Sequence, residues 1–190
     1  MLWLASQSPR RRELLAQIGV GFETIDVDVP EVHAADEMPR AYVERVARAK
    51  ARAGLQAVSA GDTDAVVLGA DTEVVLGDKV FGKPRDADDA AAMLRALSGR
   101  EHSVISVVCC ATTFVENTAV CESTVTFAEL DEHTIANYVA TGEPFGKAGG
   151  YAIQGRAAAL IARLSGSYSG VMGLPLFETA RLLRDAGLAA

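Results

Sequence analysis

Near its start the chain reads LASQSPRRRELL over residues 4–15, an apolar run that enters a Ser-Pro turn and then a basic helical pattern. This stretch predicts a strand at Leu2–Ala5 followed by a helix over Pro9–Ile18. Ser8 suits the N-cap of that helix, Pro9 its first position and Gly19 its C-cap. A strand–turn–helix unit of this kind, repeated along the chain, is typical of an α/β protein.

The start of this helix is also a candidate anion site. The first N–H groups of a helix point outward, and its dipole favours negative charge there. Arg10 and Arg11 add planar guanidinium groups that match phosphate oxygens, so a polyphosphate is the expected ligand. Unlike a Walker A loop, the segment has no Gly-rich cradle and no Gly-Lys-Ser/Thr. The alternative interpretation is that the arginines coat the start of a surface helix.

Composition places the chain among ordinary globular proteins. Its 190 residues are 49% hydrophobic and 23% charged, which is enough for one full core, so we expect one domain over residues 1–190. The net charge of −7 argues against a nucleic-acid polymer as partner but allows a small anion in a local basic pocket. Three cysteines, two of them adjacent in an apolar run, favour reduced thiols. With no leader and no membrane-spanning run in the sequence, we expect a cytoplasmic protein without membrane contact.

Strand and helix patterns alternate and predict an α/β fold with a mixed, twisted sheet flanked by helices. The predicted strands are Leu2–Ala5, Gly21–Val29, Ala65–Ala70, Glu73–Leu76, Lys79–Phe81, Ser103–Thr113, Thr118–Leu130 and Ala157–Leu164. The predicted helices are Pro9–Ile18, Arg40–Leu55, Asp86–Leu97, Asp131–Ala140 and Leu176–Ala186. Ala65–Ala70 is wholly apolar, which is typical of a strand buried on both faces.

Asp71 directly follows that buried strand. At the carboxyl end of a central strand, where α/β proteins bind ligands, a carboxylate can hold Mg²⁺ or activate a water. The alternative is a turn in which Asp71 bonds nearby backbone. Lys83, between Gly82 and Pro84, can reach a phosphate or can be a solvated loop lysine. On their own, Lys50 fits a solvated helix face and Glu31 an acidic loop.

A glycine-rich stretch, EPFGKAGGYAIQG, covers residues 143–155. Its glycines imply positive φ angles or close approach by a ligand. Gln154 carries both a donor and an acceptor, so it can read the edge of a base, or it can bond backbone in a tight loop. The three histidines have no metal-like spacing.

Taken together, these segments resemble the Maf family of nucleoside triphosphate pyrophosphatases over nearly the whole chain. The motifs that carry the resemblance, in order, are LASQSPRR, AKA, GADT, GKPRD, LSG, GKAGGY, IQG and GLP. The resemblance implies two lobes with a central cleft, and often a homodimer. It also implies hydrolysis of a nucleoside triphosphate to the monophosphate and pyrophosphate, helped by a divalent metal, Mg²⁺ or Mn²⁺.

The resemblance also assigns roles to residues. It marks Asp71 as proton acceptor and metal ligand, and it adds Lys83, Lys50 and Glu31 to the catalytic set. The implied substrate-binding residues are Ser6, Arg10, Arg11, Thr72 and Gln154. Arg10, Thr72 and Gln154 match the group that acts on dTTP and UTP. The alternatives are the subgroup that prefers 7-methyl-GTP and a nucleotide-binding regulator of cell division without turnover.

Overall fold

The computed structural model describes residues 1–188. Its strands are β1 (Leu2–Ala5), β2 (Glu23–Ile25), β3 (Val66–Leu76), β4 (Lys79–Phe81), β5 (Glu101–Ala111), β6 (Glu116–Phe127) and β7 (Ile161–Ser165). Its α-helices are α1 (Pro9–Gln17), α2 (Pro39–Val58), α3 (Ala87–Leu97), α4 (Glu132–Ala140), α5 (Tyr168–Met172) and α6 (Leu176–Asp185). Two short 3-10 helices lie at Ala148–Gly150 and Arg156–Leu160. The expected α/β class is confirmed.

One mixed sheet runs through the molecule in the order β2-β1-β3-β5-β6-β7, with β4 paired to β3. The first three strands in that order are parallel, as strand–helix–strand connections require. From β3 onward the neighbours are antiparallel. The sheet is therefore parallel on its N-terminal side and antiparallel on the other, which is the mixed sheet that the sequence predicts.

A gap along one edge of β3 creates the main cleft. On that edge β1 pairs with Val66–Gly69, and β4 pairs only with Val74–Leu76. The four residues 70–73 lie between these two paired segments, and on this edge no strand within residues 1–188 pairs with them. On the opposite edge of β3, β5 pairs from Val67 to Val75. A cavity of about 890 Å³ opens at the gap. Side chains from both faces of β3 therefore line a single cavity.

Two hydrophobic cores lie on either side of this cleft. One joins Leu4 and Leu15 to Leu183 of α6, and the other joins Phe81 and Leu94 to Phe127. A third cluster, under α2, includes residues of both β3 and β5 and so spans the two halves. The two lobes implied by the resemblance are present, joined by the central strands and α2.

Helix α2 approaches β3 unusually closely at Gly69. A Cβ atom at that position would lie 2.4 Å from both Ala47 O and Ala51 N. Only glycine allows this contact without a shift of backbone. Because Lys50 occupies the turn of α2 that crosses here, its side chain is directed at Asp71, two residues further along β3.

Three sequence expectations were wrong in detail. Ala65–Ala70 and Glu73–Leu76 belong to one strand, so Asp71 lies in the middle of β3 and not at its end. The predicted strand Gly21–Val29 is reduced to β2. The predicted strand Ala157–Leu164 begins as a 3-10 helix, consistent with the weak strand preference of its three successive alanines.

The expected N-cap of α1 and the unpaired cysteines are confirmed. Ser8 caps α1 by accepting from Arg11 N, and Gly19 follows the helix with a φ of +73°. The three cysteines are free and buried. Within residues 1–188, none of the helices has both the length and the apolar character needed to cross a membrane.

Candidate active site

Asp71 belongs to a chain of ion pairs on the α2 side of β3. Lys50 Nζ lies 2.8 Å from Asp71 Oδ1 and 2.6 Å from Glu31 Oε1. Lys83 Nζ lies 3.2 Å from Glu31 Oε2. The side chains of Asp71 and Lys50 are only 8% and 10% exposed, whereas Lys83 is 62% exposed. The four residues expected in the catalytic set thus form one network from the interior to the mouth of the cleft.

The two carboxylates of this network differ in their free oxygens. Burial opposes ionisation of Glu31, but hydrogen bonds and charges from Lys50 and Lys83 outweigh it and lower the Glu31 pKa. Both Glu31 oxygens are therefore occupied by lysines. Asp71 Oδ2 is buried and has no hydrogen-bond partner among the described residues. Since buried polar atoms are normally paired, Asp71 Oδ2 is the acceptor that a ligand would satisfy.

The arginines at the start of α1 lie across the cleft. Arg11 Nε donates to the Gly173 carbonyl at 2.8 Å, and its Nη1 lies 3.5 Å from Ser6 Oγ. Burial lowers the Arg11 pKa, while the charges of Asp71, Glu31 and Glu73 oppose that shift. Ser6 Oγ also accepts from Ser8 N at 3.2 Å, which fixes the turn that precedes the helix.

Arg10 lines the cleft beside Arg11. Its Nε is buried and has no partner in residues 1–188. Burial, and then the charge of Arg11, lower its pKa. Two neighbouring guanidinium groups at a helix N-terminus repel each other and oppose the helix dipole unless an anion lies between them. The geometry therefore supports the anion-site interpretation over a solvated helix start.

Thr72 points to the opposite side of β3 from Asp71. Its hydroxyl lies 2.8 Å from Ser106 Oγ and 3.4 Å from the Gly173 carbonyl. Ser106 in turn donates to the Gly170 carbonyl at 2.6 Å. These contacts connect Thr72 to the loop that also holds Arg11.

Gln154 is presented to the cleft by a braced loop. The Glu143 carboxylate accepts from Tyr138 Oη at 2.7 Å and from Arg156 N at 3.0 Å. Gly155 packs against that carboxylate too closely for a Cβ atom. Gln154 itself is exposed and makes no hydrogen bond to the described residues, so its amide is free to meet a ligand. This favours the base-reading interpretation of Gln154 over the backbone-bonding one.

Glu73 is a cleft residue that the sequence reasoning missed. It lines the cavity, and its Oε2 is buried without a partner in residues 1–188. Burial, reinforced by the charges of Asp71 and Glu31, raises the Glu73 pKa to about 8. Its position two residues after Asp71 was the available signal, because strand residues i and i+2 share a face. Because the predicted strand ended at Ala70, Asp71 and Glu73 were not recognised as residues on one face of the same strand.

The cleft therefore combines two kinds of group. Cationic side chains approach from α1, α2 and the segment after β4, and Lys147 lines the wall near Gln154. A buried carboxylate with one open oxygen lies among them. Such a site can bind a compound with several negative charges and accept a proton beside it.

Several known proteins are similar to this chain. A "dTTP/UTP pyrophosphatase" of Xanthomonas euvesicatoria is 61% identical over 98% of this chain and 99% of its own. One of Cupriavidus metallidurans is 52% identical over 99% and 98%, and a "Nucleoside triphosphate pyrophosphatase" of Xylella fastidiosa is 55% identical over 96% and 97%. Among solved structures, the Ham1 protein of Staphylococcus aureus aligns with a TM-score of 0.42 at 15% identity, over 69% of this chain and 72% of that one. The family model described as Maf-like protein matches residues 1–186, and the chain belongs to that family.

Proposed function

We propose that this protein hydrolyses nucleoside triphosphates, dTTP and UTP above all, to the monophosphate and pyrophosphate. The observation that carries the proposal is Asp71, a buried carboxylate with one open oxygen, inside a cleft lined by arginines and lysines. The names of the 52–61% identical relatives support the substrate class. Although the net charge is −7, the arginines and lysines of the cleft supply local partners for phosphate oxygens.

Arg10 and Arg11 would hold the triphosphate at the N-terminus of α1. Their planar groups can each bond two phosphate oxygens, and the backbone N–H groups of the helix start add further donors. Lys83, whose side chain is 62% exposed, would leave Glu31 and bind the phosphates in the cleft. A negative charge brought to this site would also relieve the repulsion between the two arginines.

Asp71 would act on the attacking water. Lys50 holds Asp71 Oδ1 and leaves Oδ2 without a partner in residues 1–188. Water attacks the α-phosphorus and forms a new P–O bond, its proton passes to Asp71 Oδ2, and the bond to the bridging oxygen of pyrophosphate breaks. The arginines and lysines stabilise the charge that builds on the leaving pyrophosphate.

A divalent cation, Mg²⁺ or Mn²⁺, also fits the donor set. Asp71 Oδ2 is a buried oxygen that lacks a partner in the described part of the chain, and a carboxylate oxygen has lone pairs for both a cation and a water. Glu31 fits less well because lysines occupy both of its oxygens. Asp71 would hold the cation, which supplies charge neutralisation on the phosphates.

Gln154 and Thr72 would select the base. The free amide of Gln154 offers a donor and an acceptor, which matches the alternating edge of uracil or thymine. A site built to hydrogen-bond one base edge discriminates against bases that leave its groups unpaired.

The test is pyrophosphate release from UTP, dTTP, CTP, GTP and 7-methyl-GTP with Mg²⁺ present. We expect kcat/KM for UTP and dTTP to exceed that for GTP and 7-methyl-GTP by at least tenfold. A preference for 7-methyl-GTP would assign the chain to the other subgroup. Tight binding of UTP without pyrophosphate release would support the regulator instead.

A further inference from the structure

Glu73 is a carboxylate of the cleft to which the proposed mechanism gives no task. Its Oε2 is buried without a partner in residues 1–188, in a cavity lined by cations. The neighbouring lysines do not pair with Glu73 Oε2, because Lys50 bonds Asp71 and Glu31, and Lys83 bonds Glu31. A buried carboxyl oxygen left in this state calls for a ligand or a proton.

The position of Glu73 on β3 pairs it with Asp71. Residues i and i+2 of a strand point to the same face, and their Cα atoms are about 7 Å apart. The regular pairing of β3 with β5 through Asp71–Val107 and Glu73–Ile105 shows that no bulge interrupts this alternation. The extra methylene of Glu73 allows its carboxylate to approach that of Asp71.

Both residues line the same cavity, and each has one buried oxygen without a partner in residues 1–188. The Asp71 side chain is only 8% exposed. Its Oδ2 lacks a hydrogen-bond partner in the described residues, and so does Glu73 Oε2. Two carboxylates with open oxygens repel each other unless a cation lies between them. Mg²⁺ is commonly held by one or two carboxylates together with substrate phosphates and water.

We propose that Asp71 and Glu73 together form a two-carboxylate site for a divalent cation, Mg²⁺ or Mn²⁺. The rest of its coordination shell comes from water and from the triphosphate, which agrees with the absence, within residues 1–188, of a cluster of three or more His, Cys, Asp or Glu side chains able to hold a metal. This proposal rests on the proposed function and adds Glu73 to it. It makes metal and nucleotide binding mutually dependent, because each completes the site of the other.

The test is the affinity of α,β-methylene-UTP, a triphosphate analogue that cannot be cleaved at the α–β bond, measured by calorimetry with and without Mg²⁺. For the unmodified protein we expect Mg²⁺ to tighten binding at least tenfold. For Glu73→Gln, which keeps the shape of the side chain, we expect that gain to fall to threefold or less. Binding without metal should be unchanged or tighter, since glutamine cannot carry a negative charge.

Two further variants sharpen the result. Glu73→Asp keeps a carboxylate and should recover part of the Mg²⁺ gain. Glu13→Gln removes an exposed carboxylate from the rim of the same cavity and should keep the whole gain. A full Mg²⁺ gain in a folded Glu73→Gln protein would overturn the proposal and show that Glu73 is simply protonated. If Mg²⁺ does not tighten analogue binding in the unmodified protein, the two-carboxylate site is overturned too. Pyrophosphate release from UTP tests the proposed function separately.

Discussion

At the scale of single residues, the site depends on which polar atoms lack a partner inside the protein. Asp71 Oδ2, Glu73 Oε2 and Arg10 Nε are buried and unpaired in residues 1–188, and all three residues line the cleft. In Asp71 the other oxygen, Oδ1, is held by Lys50. Lys50 thus orients Asp71 and leaves its Oδ2 for a ligand.

Gln154 gives a residue-scale prediction. Removing its amide in Gln154→Ala should raise KM for UTP about 3- to 10-fold, the value of one or two lost hydrogen bonds. Inhibition by tripolyphosphate, which has no base, should stay within twofold of the unmodified protein. Steady-state kinetics of pyrophosphate release measure both quantities. An equal loss of tripolyphosphate affinity would mean that Gln154 supports the phosphate site and not the base.

His102 gives a prediction on stability. It is 3% exposed and bonds Tyr151 Oη at 2.8 Å, and burial lowers its pKa to about 4 from the model-peptide value of 6.5. Between pH 6.5 and 4 the unfolded chain therefore binds a proton that the folded chain does not. Stability should fall as the pH is lowered through this window, by up to about 3 kcal/mol from this residue.

Urea unfolding at a series of pH values measures that slope. His102→Gln should lose the contribution of the imidazole to the pH dependence of stability. The free energy of unfolding of this variant should therefore fall less steeply between pH 6.5 and 4 than that of the unmodified protein. Parallel curves for the two proteins would show that His102 is protonated in the folded state.

At the scale of helices and strands, the contact between α2 and β3 positions Lys50 against Asp71. Gly69→Ala would place a Cβ 2.4 Å from backbone atoms of α2, and the helix would have to move away. We expect a loss of about 3 kcal/mol in the free energy of unfolding, with reduced turnover because Lys50 retreats from Asp71.

Gly61→Ala is the matched control, because its added Cβ would meet only Val58 O at 3.9 Å. Its stability should lie within about 0.5 kcal/mol of the unmodified protein. Equal effects of the two substitutions on urea unfolding would contradict the close-contact explanation.

Sequence patterns predicted most elements but not the geometry that joins them. Ser8 and Pro9 mark the start of α1 by local chemistry alone, and the apolar run before Asp71 marks a buried strand. Asp71 and Thr72 were left between two predicted strands, and Asp71 resembled a turn residue, because a strand that passes an open cleft carries the same residue types. Lys50 resembled a solvated residue because its burial depends on the approach of α2 at Gly69, a tertiary contact that no local pattern records.

At the scale of the whole molecule, the net charge of −7 and the cations that line the cleft act in opposite directions on an anionic ligand. If the local cations govern binding, salt should weaken the affinity for α,β-methylene-UTP. If the overall charge of −7 governed it, screening would strengthen that affinity. Calorimetry at 50 and 500 mM NaCl distinguishes the two, and we expect at least a fivefold weaker affinity at the higher salt.

The homodimer implied by the family resemblance stays a prediction, which sedimentation velocity can test.

The most direct test of the mechanism is pyrophosphate release from UTP by Asp71→Asn in the presence of Mg²⁺. Asparagine keeps the shape of the side chain but cannot accept the proton of the attacking water. We expect kcat to fall at least a thousandfold while the metal-free affinity for α,β-methylene-UTP changes by less than about threefold. A variant that binds the analogue and still releases pyrophosphate at a near-normal rate would contradict the central role given to Asp71.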